Sequence, residues 1–423
     1  MSFVSHPLTA DQDRAERRPI LLLADLLMIA VMLGTLVAEE GTAFPLLNRL
    51  LGLGLVLLYV PCHFVYRLRV APELWLFGLF IAWGFASGVA IAGDQDAFYG
   101  YAAMLTRFLG LALAVAGFTM AKRSAAMNFL TLAVLAVCLA IYARWTGVYS
   151  LGLDPGTTLR AGMLPWNQNM MGLLTLYGIM GLVYLWGTVT SRLVRLGFVP
   201  LTVALALTLV SSASRKSFAG LLAFVLLWLA FCYGRRVLRS IPALLGAALV
   251  VVGMVCLTIY ALDETRLGLR VESAVEAGGL DETRTGLYKE GWKLFTNNPV
   301  AGVGLGNFVT LSAFHLYSHS DYMEALATTG LVGFVLYFSI YPILWWRIAR
   351  LKKAATDPRV RYQLGVYRAI ILTLLALGIG APTFLSPYSW FLLASMIGHT
   401  WGLCSREPAA VQAVAFRAVP VVH

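Results

Sequence analysis

The residues of this chain that could do chemistry fall mostly in two stretches. His315 and His319 lie four residues apart, with Asp321 and Glu324 close behind. Arg215 and Lys216 sit in the turn Ser211-Ser-Ala-Ser-Arg-Lys-Ser217, and Arg284 falls between the two stretches. Arg107, Arg144 and Arg160 stand further upstream. An imidazole moves protons near neutral pH. A guanidinium fork grips two oxygens of a phosphate at once. Together they suit a reaction at a phosphate-bearing substrate. No HExxH appears, and none of Cys62, Cys138, Cys232, Cys256 and Cys404 forms a CxxC. No metal site is expected.

Composition says what must position these residues. The 423 residues are 59% hydrophobic and 13% charged, with a formal net charge of +11 and a mean hydropathy of +0.77. A soluble domain is about a quarter charged. The composition excludes an ordinary soluble enzyme and a disulfide scaffold, and predicts an all-α integral membrane protein. Twelve apolar stretches approach the length a bilayer requires: 20–37, 44–64, 73–92, 99–120, 127–147, 169–189, 196–213, 217–233, 242–262, 322–346, 365–385 and 387–404. The N-terminal tail, the even-numbered exits and the C-terminal tail carry 20 of the 32 basic residues. The positive-inside rule then puts both termini in the cytoplasm. The excess charge records topology, so no nucleic-acid partner is expected.

The whole of 1–423 reads as a single polytopic membrane domain. Two outer segments are long, 148–168 and 263–321, the second between spans nine and ten. Within 263–321, expected to be a lid loop with short helices, 281–296 carries apolar residues at helical spacing. Asp281 is its expected N-cap, and Asn297-Asn298-Pro299 ends it.

Several outer-side arginines are not explained by topology. Arg49, Arg107 and Arg144 lie in or at the ends of spans. An arginine inside a span costs about 2.5–3.5 kcal/mol, so it either snorkels to the headgroups or faces a cavity. Arg215 has little freedom to snorkel from so short a turn. The pyrophosphate of a lipid carrier is the membrane-embedded anion that best fits convergent arginines.

The motif His319-Ser320, nine residues, then Gly330-Leu-Val-Gly333 resembles the His-[Asn/Ser/Gln]-x9-Gly-x-x-[Gly/Thr/Tyr] motif of bacterial O-antigen ligases. Ser214-Arg215 is similar to the Ser-Arg element of the wider O-antigen ligase and polymerase superfamily. Gly291-Trp292, Asn298-Pro299 and Gly302-Val-Gly304-Leu-Gly306-Asn307-Phe308 fit its Gly-rich stretch ahead of the histidine. Arg160-Ala-Gly162 and Asn167-Gln-Asn169-Met-Met-Gly172 fit its Asn/Gly-rich helix entry. Lys216 is a departure, since a small residue often follows the arginine there.

The resemblance implies a GT-C-like glycosyltransferase of the bacterial inner membrane. Its donor would be a glycan on undecaprenyl pyrophosphate, and its acceptor a sugar hydroxyl of lipid A–core. Transfer would occur at the periplasmic face amid membrane lipids, with no cofactor, nucleotide sugar or metal. On this reading Arg215 and Arg284 are the first pyrophosphate ligands, followed by Arg160, Arg144 and Arg107. His319 is a general base or acceptor-positioning group, or else a phosphate ligand beside the free N–H groups of span ten. Asp321 and Glu324 either orient His319, act as the base themselves, or complement the helix dipole; His315 is a loop residue or a further support. An O-antigen polymerase, a protein O-oligosaccharyltransferase and a twelve-span transporter stay open as alternatives.

Overall fold

The computed structural model describes residues 10–37, 45–65, 68–91, 95–156, 168–237, 239–276 and 282–404. Every regular element among them is helical. In chain order these are α1 (Ala10–Val37), α2 (Pro45–Val65), α3 (Pro72–Ile91), α4 (Gln95–Lys122), α5 (Ala126–Trp145), α6 (Val148–Leu151), α7 (Gln168–Trp186), α8 (Arg192–Ser211) and α9 (Arg215–Trp228). A π turn, Leu229–Tyr233, extends α9 into α10 (Gly234–Val237). Then come α11 (Ile241–Asp263), α12 (Arg266–Glu276), α13 (Glu282–Asn297), α14 (Asn307–Leu311), α15 (Asp321–Phe338), α16 (Ile340–Ala354) and α17 (Pro358–Gly378). A 3-10 turn, Thr383–Leu385, leads to α18 (Pro387–Cys404).

Eleven helical stretches, from Pro19–Leu36 to Pro358–Gly378, are long and apolar enough to cross a membrane. The chain is an all-α, multi-pass membrane protein. The twelfth expected span forms as α18, which is not among those eleven: 14 of its 18 residues are buried against other helices. Its neighbours hold it by polar bonds as well as by packing. Asn128 of α5 donates to Thr119 of α4 at 2.8 Å and to Ser395 of α18 at 2.9 Å. Tyr177 of α7 meets Ser389 at 2.8 Å. Arg347 of α16 pairs with Glu73 of α3 through two nitrogens and donates to Thr400 of α18 at 3.1 Å.

Two spans differ from the sequence expectation. The stretch expected at 365–385 starts earlier as a helix, because Asp357 caps α17 by accepting from Arg359 N–H at 2.8 Å. It also stops earlier, at Gly378, and residues 379–386 form a connecting turn. The stretch expected as one helix over 322–346 is broken. Gly330 takes φ 64° and ψ −168°, a conformation open in practice only to glycine.

The break is repaired by a backbone exchange. In an unbroken helix the N–H groups of Leu331 and Val332 would reach the carbonyls of Ala327 and Thr328. Here Leu331 N–H donates to Pro299 O at 2.8 Å and Val332 N–H points to Val300 O at 3.5 Å. The vacated carbonyls of Ala327 and Thr328 accept from Val303 N–H at 2.9 Å and Gly304 N–H at 2.8 Å. Thr329 O accepts from the Trp83 indole of α3 at 2.9 Å. The contact has no room for side chains. A Cβ on Gly330 would lie 2.3 Å from Val300 O, and one on Gly302 would lie 2.4 Å from the Thr328 carbonyl carbon.

Gly330→Ala and Gly302→Ala should each cost about 2–5 kcal/mol from forbidden backbone plus overpacking. Gly246→Ala in α11, where an added Cβ meets nothing within 4 Å, should be neutral or slightly stabilising. Melting temperatures of the purified variants in one detergent check this; a Gly330→Ala protein as stable as Gly246→Ala would refute the exchange.

Candidate active site

The turn between α8 and α9 is set by small side chains and one close helix approach. Ser211 and Ser212 return their hydroxyls to the carbonyls of Thr208 and Leu209 at 2.7 and 2.6 Å. Ala213 takes a left-handed φ of 49°, which reverses the chain within three residues. Ser214 then opens α9 in extended geometry, its hydroxyl 3.0 Å from Ser217 Oγ and donating to Asn169 Oδ1 at 3.2 Å. A Cβ on Gly172 would come within 2.7 Å of Ser212 Oγ and 2.8 Å of Ser217 Oγ. So the Asn169–Gly172 entry to α7 and the Ser214-Arg215 turn form one contact. Arg215 is half-buried and donates to the carbonyl of Arg270 at 3.2 Å, while Arg270 donates back to Ala213 O. This exchange ties α12 to the start of α9.

The His319 turn is built by serines and carboxylates. Ser318 N–H donates to Glu324 Oε2 at 2.8 Å, and Ser318 Oγ donates to Ser320 O at 2.9 Å. Ser320 Oγ donates to Gly378 O at 3.2 Å. Asp321 accepts the Thr383 hydroxyl and, at 3.1 Å, the Phe384 N–H. Asp321 and Glu324 are each only 2% exposed. Their hydrogen bonds run to Ser318, Thr383 and Phe384, which makes them scaffold groups. His319 is left half-buried at φ 57°, its ring 4.2 Å from that of Tyr317. A left-handed, non-glycine residue costs about 1–2 kcal/mol, and such strain collects at functional sites.

The second turn of α13 closes over this end of the bundle. Tyr288 donates to Ile379 O at 2.9 Å, and the ring of Phe314 lies where a Cβ on Gly286 would be, 2.3 Å away. Arg284 stands one turn before Tyr288. Burial pushes the Tyr317 phenol above its ordinary range, the Glu324 carboxylate adds to the rise, and the Arg284 guanidinium opposes it. Arg284 is therefore within electrostatic reach of the aromatic partner of His319. It is also within reach of Lys216, which in turn senses Asp321. The 378–380 turn gathers three elements: Ser320 before α15 reaches Gly378, Tyr288 of α13 reaches Ile379, and the stem of Lys216 at the start of α9 lies along Gly380. Arg215 and His319 are the chain neighbours of Lys216 and Ser320.

The other expected site residues are placed differently. Arg144 is exposed at the end of α5, its guanidinium 5.1 Å from the Tyr149 ring centre. The segment that follows α6 brings Gly152 against Ser211 at the end of α8. Arg107 is exposed on α4, donates to Ala103 O at 3.2 Å within its own helix, and has Arg49 as its charged neighbour. His315 is exposed, at φ 50°. Arg160, Asn167 and Asp281 lie outside the described residues. Sequence reasoning had no signal for Tyr317, Thr383 or Phe384, which carry no motif of their own.

Residues 200–338 match the family model described as O-antigen ligase, and this supports the O-antigen ligase/polymerase superfamily. The matched segment runs from α8 to the end of α15. It includes Arg215, Lys216, Arg284, Tyr317, His319 and the Gly330 break. No curated protein matches the chain.

Asp321→Ala should cost about 1–3 kcal/mol, because it leaves a buried hydroxyl and N–H unpaired. Thr383→Val should then cost less in the Asp321→Ala background than alone. A double-mutant cycle of unfolding free energies tests the pair; strict additivity would mean the bond contributes nothing.

Proposed function

We propose that this O-antigen ligase/polymerase-type membrane enzyme transfers a glycan from undecaprenyl pyrophosphate to a sugar hydroxyl of lipid A–core. The reaction is assigned to the periplasmic face of the bacterial inner membrane, with both termini in the cytoplasm. The observation that supports this reading is that the 378–380 turn gathers the start of α9, which carries Arg215, the α13 helix of Arg284, and the turn of His319 before α15.

The chemistry follows from those groups. An acceptor hydroxyl oxygen attacks the anomeric carbon, and the bond from that carbon to the pyrophosphate oxygen breaks. The electron pair leaves with the pyrophosphate. Arg215 and Arg284 stabilise the developing charge through preorganised charge-assisted hydrogen bonds. The hydroxyl proton passes to the His319 imidazole, whose turn is fixed on both sides by Ser318 and Ser320. Arg144 and Arg160 are assigned to the same anion at longer range. Arg107, on the exposed face of α4 beside Arg49, is assigned to lipid headgroups.

His319→Ala should lower the transfer rate about 10²–10⁴-fold. Arg215→Ala and Arg284→Ala should each lower it about 10²–10³-fold. The assay uses purified full-length protein, a lipid-linked glycan and lipid A–core, and separates products by gel. Transfer at full rate by folded His319→Ala protein would remove the histidine from the mechanism. Products that grow on the lipid carrier instead of lipid A–core would make the enzyme a polymerase.

A further inference from the structure

Lys216 is a charge that the proposed reaction leaves unused. It occupies the first turn of α9, next to Arg215. Its stem lies along the turn after α17: a Cβ on Gly380 would be 3.7 Å from Lys216 Cβ and 4.0 Å from its Cδ. The side chain is half-buried there. Its charged neighbours are Arg284, which repels it, and Asp321, which attracts it.

Asp321 does not neutralise it directly. Both carboxylate oxygens of Asp321 already accept hydrogen bonds, Oδ2 from Thr383 and Oδ1 from Phe384. The ion pairs among the described residues are Lys122–Asp25, Lys293–Glu290 and Arg347–Glu73, and Lys216 belongs to none. The half-buried ammonium thus lies within electrostatic range of a guanidinium, and Asp321, the carboxylate that attracts it, has each oxygen already accepting a hydrogen bond. Such a pair is unfavourable by itself and becomes favourable when a polyanion binds between its members. A diphosphate supplies that charge and enough oxygens for both. Lysine meets it as a mobile point charge and arginine as a fork.

We propose that Lys216 Nζ is a direct ligand of the diphosphate, gripping it together with Arg284 while Asp321 fixes where the ammonium stands. This deepens the reading above and rests on its assignment of a pyrophosphate to this end of the bundle.

The test uses the full chain in lipid nanodiscs, with calorimetric binding of a short-chain isoprenyl pyrophosphate and of inorganic pyrophosphate. Lys216→Met should weaken both about 10–100-fold, the scale of one lost charge-assisted bond. Lys216→Arg, which keeps the charge, should stay within roughly a few-fold of wild type. In the transfer assay Lys216→Met should raise the donor KM more than it lowers kcat, because the ligand is already held in the ground state. Lys216→Gln repeats the measurement if the methionine variant does not fold. Wild-type protein that binds the probes, with Lys216→Met and Lys216→Gln binding equally well, overturns the role of Lys216 alone. Wild-type protein that binds neither probe overturns the pyrophosphate assignment, and this inference with it.

Discussion

Hydrocarbon cannot satisfy a free backbone amide or carbonyl, so a helix broken within a membrane span must find other partners. At Gly330 those partners are the backbone of residues 299–304 and the Trp83 indole. The rest of this end of the molecule depends on that exchange. Because Pro299 and Val300 are bonded to α15, the end of α13 at Asn297 is fixed two residues away. α13 then runs back along α15 until Tyr288 reaches Ile379. Arg284 stands where it does because a helix break deep in α15 anchors the far end of its helix. The glycines of the His319-x10-Gly330 motif and of the 302–306 run are thus two halves of one contact.

The broad architecture was legible in the sequence because lipid demands it. Composition and span length predict a helical membrane protein, and eleven helices meet that description. Hydropathy reports contact with lipid more than burial in protein, however. The stretch Ile241–Asp263 has the highest mean hydropathy, 2.4, and none of its window is buried, whereas Gln168–Trp186 has 1.4 and is 78% buried. Inner helices have protein for a solvent and carry the small and polar residues that bind neighbours. α18 is the extreme case, joined to α5, α7 and α16 side chains through its hydroxyls. The Glu73–Arg347 pair completes that frame; removing one partner of such a buried pair costs about 3–5 kcal/mol.

The candidate site was legible only in part. The order Ser214-Arg215, Arg284, His319 is visible along the chain, because each position has a motif or an unexplained charge. What Asp321 and Glu324 do is not visible, since a carboxylate in the first turn of a helix fits both a catalytic and a scaffold role. The deciding partners of Asp321 lie 62 and 63 positions away, beyond any local spacing rule. Arg107 shows the reverse. Its place within a span fits either a cavity or the headgroups, and its face of α4 is set by packing with α2, α3 and α18, which leaves it exposed beside Arg49.

A site for a polyanion has a difficulty that this arrangement resolves. Helix starts tolerate acids and often need them as caps, yet a free carboxylate beside the cations would compete with the substrate for them. Here each acid at the start of α15 is turned into the protein and its lone pairs are aimed at N–H or hydroxyl donors: Glu324 at Ser318, Asp321 at Thr383 and Phe384. The acids therefore position the turn without forming an ion pair with the cations that face it; Asp321 acts on Lys216 only at longer range. The Glu324 bond holds Ser318, and bonds to Gly378 and Ser318 hold Ser320, so the residue between them is kept in its left-handed conformation. If the Ser318–Glu324 and Ser320–Gly378 bonds were lost together, His319 would be free to relax to ordinary backbone angles. Its ring would then leave Tyr317 and, with it, the neighbourhood of Arg284.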